Sequence, residues 1–294
     1  MNKKDRRNLR NGLLFISPWI IGFCVFTLYP MLQALYFSFC DYNGFSDPKF
    51  VGLKNYIQLF TNDKLVGTIA KNMIYLVLVG MLLILLSTLT IAVVLEAKQI
   101  KRVQGVRVLF YLPTLVPSIV LCTLWIWMFN QNNGLINTVL RWLGIAGPSW
   151  LASLTWSKPA LLIMRLWCSG NLIIIFLGGL QDIPQVLYEA AEIDGGNFWD
   201  KTIAITIPLL KPVILYNAIS LMINLLQMFT EPLVMTDSGG PYNTTYTIGL
   251  YIYKNAFQYS KMGYSSALAW MLLIVSLGLT FIALKLGGFF ESVE

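Results

Sequence analysis

Six long apolar runs constrain this chain more than any other feature. They cover approximately 12–38, 72–95, 108–129, 159–180, 209–230 and 264–287, and each is close to the roughly 20 residues a helix needs to cross a hydrocarbon core. A bilayer offers no water to backbone N–H and C=O groups, so a run of this length must satisfy them within itself, as an α-helix does. The expectation is an all-α integral membrane protein with about six transmembrane helices. Composition agrees: of 294 residues, 56% are hydrophobic and 12% charged, against about a quarter charged in an ordinary soluble domain. There is no histidine, which excludes an imidazole base and a His-ligated metal. Cys24, Cys40, Cys122 and Cys168 are far apart and mostly inside apolar runs. That pattern suits buried small hydrophobes, not a disulfide framework or a zinc site. No catalytic residue, metal or cofactor is expected.

Lysine and arginine set the orientation, because basic loops resist translocation. The head MNKKDRRNLR, with Lys3, Lys4, Arg6, Arg7 and Arg10, and the second loop, with Lys98, Lys101, Arg102 and Arg107, belong in the cytoplasm. Such a head could open a signal peptide, but the run after it is too long and lacks a small-residue exit, so it is expected to stay as an anchor. Six crossings return the C-terminus, with Lys285, Glu291 and Glu294, to the cytoplasm and leave the loops near 39–70, 130–158 and 231–263 outside. Those loops hold Lys49, Lys54, Lys64, Lys71, Arg141, Lys158, Lys254 and Lys261, so the bias is moderate. The net charge of +7 is a topology signal, and no basic cluster is large enough for a nucleic-acid face.

One cytoplasmic connection is too long to be a turn: QDIPQVLYEAAEIDGGNFWDKTIAITIPLLK, from Gln181 to Lys211. Pro184 suits a helix opening, and Val186, Leu187, Ala190, Ala191 and Ile193 give an apolar side next to Glu189, Glu192 and Asp194. Gly195 and Gly196 stop that helix. A second short amphipathic stretch with Phe198, Trp199, Ile203 and Ile205 then leads to Pro208. The small Ala190–Ala191 ridge and the Gly turn allow close approach by a partner. The alternative is a helix lying among lipid headgroups, but interfacial helices are usually rich in Lys and Arg. Here Glu189, Glu192, Asp194 and Asp200 face a single Lys201.

Glu189-Ala190-Ala191, three residues, Gly195, nine residues, Ile205, one residue, Ile207 and Pro208 resembles the EAA motif of ABC-importer permeases, E-A-A-x3-G-x9-I-x-L-P. Ile207 for Leu is the one departure. FVGLKNYIQLF at 50–60, LWCSGNLIIIFLGGLQDIP at 166–184 and DSGGPYNTTYTI at 237–248 resemble binding-protein-dependent sugar permeases, the first of these stretches especially the first permease of a heterodimeric pair. The resemblance spans nearly the whole chain. It implies the type I importer fold: a single transmembrane permease domain over 1–294, with a cytoplasmic head at 1–11 and a coupling loop at 181–208. It also implies residence in a bacterial plasma membrane and three kinds of partner: a second permease, two copies of a cytoplasmic ATPase, and an extracellular binding protein that delivers the sugar. Glu189, Ala190, Ala191, Asp194, Gly195 and Pro208 then carry the ATPase coupling.

A hydroxylated substrate needs hydrogen-bonding groups within the spans. Asn217, Ser220, Asn224, Gln227 and Glu231 are spaced 3, 4, 3 and 4 residues apart, which predicts one polar face on the fifth span. Amides offer both donors and acceptors to sugar hydroxyls, while a polar seam between helices gives the same pattern. By resemblance to maltose-type permeases, Ser220, Asn224 and Gln227 match lining positions best, with Asn217 beside them and Gly170 and Asn171 on the fourth span. Arg165 is the only charge well inside a span; it either pairs with Glu231 or faces an anionic substrate. Trp125, Trp127, Trp142, Trp150 and Trp156 read as an interfacial belt. Gly239, Gly240 and Pro241 are placed to meet the extracellular binding protein.

The sequence contains no G-x4-G-K-[ST] phosphate loop, so the ATPase is expected on another subunit. An ion-coupled carrier would want Asp, Glu or His at mid-membrane and repeated halves, and neither is found. Glycerol phosphate or another polyol remains open as the substrate beside a mono- or oligosaccharide.

Overall fold

A computed structural model of the chain describes residues 3–97 and 103–288. Lys98, Lys101 and Arg102 of the second loop, and Glu291 and Glu294, lie outside the described residues. The described residues are mostly helical, and four helices are long and apolar enough to cross a membrane: Asn11–Ser38, Lys64–Glu96, Lys211–Val234 and Met262–Leu286. Two further spans are bent pairs, Arg107–Leu115 with Ser118–Met128 at 103°, and Ser157–Trp167 with Gly170–Gln181 at 48°. Counting each bent pair as one span gives the six that hydropathy predicts.

Proline explains where most of the helices deviate. A proline cannot donate to the carbonyl four residues back, and its ring crowds that carbonyl. Pro30 follows a wide π turn at Cys24–Leu28, and Pro208 follows another at Thr202–Thr206. Pro113 and Pro117 break the third span. Val116, held before Pro117, is extended at φ −80° and ψ 133°, and the helix restarts at Ser118.

The described residues divide into two compact units, those within 1–63 and 252–271 and those within 64–251 and 272–294. In the first unit, Cys40–Asp41 pairs antiparallel with Lys49–Phe50, Cys40 opposite Phe50. Asn55, within FVGLKNY, is buried and its Nδ2 donates to the carbonyls of Ser38 and Cys40, each at 2.9 Å. Tyr264 Oη donates to Asp63 Oδ2 at 2.6 Å. Backbone groups that would otherwise be orphaned at the end of the first span are thereby satisfied.

The second unit packs the Lys64–Ala97 helix against Gly170–Gln181 and Lys211–Leu226. Ala92, Leu95, Ile173, Phe176, Leu177, Leu180 and Leu210 form one buried cluster there. Gly170 is needed for that packing, since a Cβ would run into the carbonyl oxygen of Phe110. The cysteines only partly follow expectation: Cys40 and Cys122 are buried, Cys168 is half-buried, and Cys24 is exposed on the all-round apolar first helix. The tryptophan belt is also corrected. Trp127 and Trp142 are exposed, but Trp125 and Trp150 are buried. They belong to a run of ring contacts, Trp167–Trp125–Phe129–Trp150–Trp156, with centroids 5.0–5.4 Å apart. Trp150 Nε1 donates to Asn137 Oδ1 at 2.7 Å, a partner that a buried indole requires.

Candidate functional site

The 181–211 segment folds as its residues dictate. Pro184, at φ −59° and ψ 126°, caps the helix Gln185–Ile193. Asp194 ends it, and Gly195 takes φ +80°, the left-handed conformation that favours glycine. The Gly196 N–H donates to Ala191 O at 2.8 Å. Asn197 opens the next helix with a reciprocal capping box: its Oδ1 accepts from the N–H groups of Trp199 and Asp200, and Asp200 accepts from the Asn197 N–H. Two contacts tie this turn together. Lys201 Nζ lies 2.5 Å from Glu192 Oε1, and the hydroxyls of Tyr188 and Thr206 are 2.9 Å apart.

The apolar side of the helix is uncovered. Val186, Leu187 and Ile193 are exposed, Ile193 to 87%, as are Phe198, Trp199 and Ile203 of the following turn. Glu189, Ala190, Asp194, Gly195 and Pro208 are exposed and Ala191 is half-buried. A Cβ on Gly195 would meet nothing in this chain, so the space beside it is open to another molecule.

The intramembrane polar residues are arranged differently from their spacing. The helix Lys211–Leu226 stops at Gln227, and Phe229 sits at φ −144° and ψ −33° before Thr230–Val234 begins. Pro232 is the cause: the Met228 carbonyl, four residues back, instead accepts from Thr247 Oγ1 at 2.6 Å. The five residues therefore do not share one face of one helix. Asn217 is fully buried and its Nδ2 reaches Leu172 O at 3.4 Å. Gly170 is buried between backbones. Ser220 is half-buried, while Asn171, Asn224 and Gln227 are exposed; Asn224 Nδ2 donates to its own helix, at Ser220 O, 2.8 Å away.

Arg165 and Glu231 do come together, Nε to Oε1 at 2.7 Å. The Nε–H is not aligned for a hydrogen bond, so the contact is an ion pair by distance. It joins the last turn of Ser157–Trp167 to the first turn of Thr230–Val234, a placement in which each charge opposes the helix-end dipole beside it. Sequence spacing missed both helix breaks; Pro232 signalled one, and the break at Cys168–Ser169 has no such marker.

The loop 236–246 is held in an unusual backbone. Asp237, Ser238, Tyr242 and Asn243 have φ between 46° and 66°, and Gly239 and Gly240 are also positive. Asn72 Nδ2 donates to the carbonyls of Asn243 and Tyr246 at 2.7 and 3.0 Å, and the buried hydroxyls of Thr236 and Thr245 are 2.7 Å apart. Left-handed residues of this kind persist only when their surroundings over-determine them.

A polytopic helical protein with an uncovered amphipathic segment and polar residues at broken spans is the architecture of a membrane permease. Residues 90–291 match the family described as "Binding-protein-dependent transport system inner membrane component", and the chain belongs to that family. It is 36% identical over 298 residues to "Probable ABC transporter permease protein YesP" of Bacillus subtilis (strain 168), covering 99% of this chain and 96% of that protein. It is 32% identical to the "Lactose transport system permease protein LacF" of Rhizobium radiobacter, over 92% of each chain. The fold is shared with a bacterial ABC transporter described as importing the acidic polysaccharide alginate, at a TM-score of 0.83 and 22% identity over 97% of this chain and 98% of that one. The matched region contains both the 181–211 segment and the Arg165–Glu231 pair.

Proposed function

We propose that this permease forms, with a second permease, the membrane path of an ATP-driven sugar importer. Two ATPase subunits sit on the cytoplasmic side and a binding protein delivers the sugar outside. The whole chain acts as one permease domain with both termini in the cytoplasm. The observation that carries this reading is the uncovered helix Gln185–Ile193, which ends at an exposed left-handed Gly195. An apolar side left open next to a site without a Cβ suits a groove on a protein partner. Closure of the ATPase pair on ATP then pushes this helix and turns the path from inward- to outward-facing. Sugar as the substrate is supported by relatives named for lactose and for arabinooligosaccharides. The exposed amides Asn171, Asn224 and Gln227, with Ser220 beside them, are the groups that meet it. Asn217 and Gly170, enclosed by their own chain, position them. The loop around Gly239, Gly240 and Pro241 is the docking point for the binding protein.

Gly195→Asp tests the coupling role. The variant is expected to insert normally and to lose uptake by more than about ten-fold, because a charged side chain would occupy the approach site. Co-purification of a P-loop ATPase and a second permease with the native chain, but not of the ATPase with the variant, is the readout. Normal uptake by Gly195→Asp would return the helix to the lipid headgroups. Asn224→Ala is expected to lower uptake about three- to ten-fold with assembly intact, the loss of a hydrogen bond or two. An unchanged rate would make the amides a packing seam.

A further inference from the structure

The Arg165–Glu231 pair is lopsided in a way that bears on which sugars pass. The Arg165 side chain is 25% exposed and that of Glu231 only 7%. The carboxylate approaches the guanidinium at Nε, and neither terminal nitrogen donates a hydrogen bond among the described residues. A molecule reaching this point meets a cation whose planar fork is free, backed by a buried anion. That fork matches a carboxylate, accepting two N–H groups side by side. A charge kept inside a span at several kcal/mol of desolvation is by default functional, and structural pairing alone would be served as well by apolar packing.

A second observation points the same way. Lys158 lies on the same helix as Arg165, seven residues and about 10 Å nearer its start. Leu161 and Leu162 between them are buried, so the two cations are separate stations and not one groove. Lys158 Nζ sits 5.1 Å from the centroid of the Tyr75 ring, and neither it nor Lys71 is in an ion pair among the described residues. Both flank the constrained 236–246 loop: Ser157 Oγ is 3.2 Å from Thr244 Oγ1, and Asn72 holds Asn243 and Tyr246. In the orientation proposed above, Lys71 and Lys158 lie at the outer ends of their helices, beside this loop. Fixed cations there raise the local concentration of anions.

We infer that the importer takes carboxylate-bearing saccharides, and that Arg165 is the residue that meets the carboxylate within the membrane while Glu231 is its resting counterion. Lys71 and Lys158 steer the anion inward. This deepens the sugar-importer reading and rests on it.

The test gives cells that carry or lack this chain a mixture of galacturonic-acid di- and trisaccharides, the corresponding neutral galactose oligosaccharides, and glycerol 3-phosphate. Chain-dependent uptake is read by mass spectrometry. The uronate oligosaccharides are expected to enter at least about ten-fold faster than the neutral ones, the size of one charge-assisted hydrogen bond. The double variant Arg165→Gln with Glu231→Gln, which strands no charge, is expected to assemble and to lose that preference. Lys158→Gln is expected to lower uptake about two- to three-fold and to weaken its salt dependence. Preference for neutral sugars, no chain-dependent uptake of an acidic saccharide, or an unchanged preference in the double variant would overturn the inference. Entry of glycerol 3-phosphate alone would overturn the carboxylate and assign the cation to a phosphate. Salt-sensitive docking of the binding protein with neutral-only uptake would assign the lysines to that partner. The importer reading fails separately, if no ATPase accompanies the chain.

Discussion

Two ion pairs of almost equal length hold opposite ends of this protein's problem. Lys201 and Glu192 meet at 2.5 Å in the 181–211 segment, with Glu192 65% exposed; Arg165 and Glu231 meet at 2.7 Å inside the spans, with Glu231 nearly enclosed. Water solvates the Glu192 carboxylate whether or not the pair forms, so the bond adds little. Nothing replaces the partner of a buried carboxylate, so the second pair is costly to split even if it contributes little when intact. The two helix breaks differ in the same sense. At Gly195 the chain turns in open space, and the requirement is a positive φ. At Cys168–Ser169 the chain bends among packed helices, and the requirement is room for the Phe110 carbonyl beside Gly170.

The largest expected effect breaks the comparison at its buried end. Arg165→Gln alone is expected to cost about 3–5 kcal/mol by leaving Glu231 uncompensated, read as a lower unfolding midpoint of the purified protein. Pairing it with Glu231→Gln should restore most of the loss. If the single and double variants are equally destabilised, the carboxylate is solvated and the contrast between the pairs collapses. Next come the glycines. Gly170→Ala is expected to cost about 1–3 kcal/mol, because a backbone carbonyl cannot give way as a side chain can. Gly195→Ala should cost about 1 kcal/mol, from backbone conformation alone. A reversed order would mean that the turn at Gly195 is packed and the membrane break is loose. The smallest effect is Lys201→Gln, expected to change the midpoint by less than about 1 kcal/mol equivalent. A larger loss would make this pair part of the scaffold that holds the helix Gln185–Ile193 in place.

The 181–211 segment was legible residue by residue. Pro184 and the two glycines act over one to four residues, and local chemistry of that range is written directly in the chain; the Asn197–Asp200 capping box is just as local but was seen only in the structure. The intramembrane site was legible only in part. The polar residues of the fifth span were named from spacing, but the assumption of an unbroken helix put Glu231 on the face of Asn217 and Asn224. Pro232 frees the Met228 carbonyl, and only Thr247, nineteen residues on, decides what receives it.

The amino-acid sequence by itself determined that this chain lives in a bilayer, which runs are apolar enough to cross it, and where the helix Gln185–Ile193 starts and stops. Those are matters of hydrophobic length and short-range backbone chemistry. Tertiary structure alone decided that Arg165 faces Glu231, that Trp125 and Trp150 leave the interface for the interior, and which amides remain exposed. Each depends on two segments far apart in the chain meeting at a helix break, and no periodicity within one segment encodes that meeting.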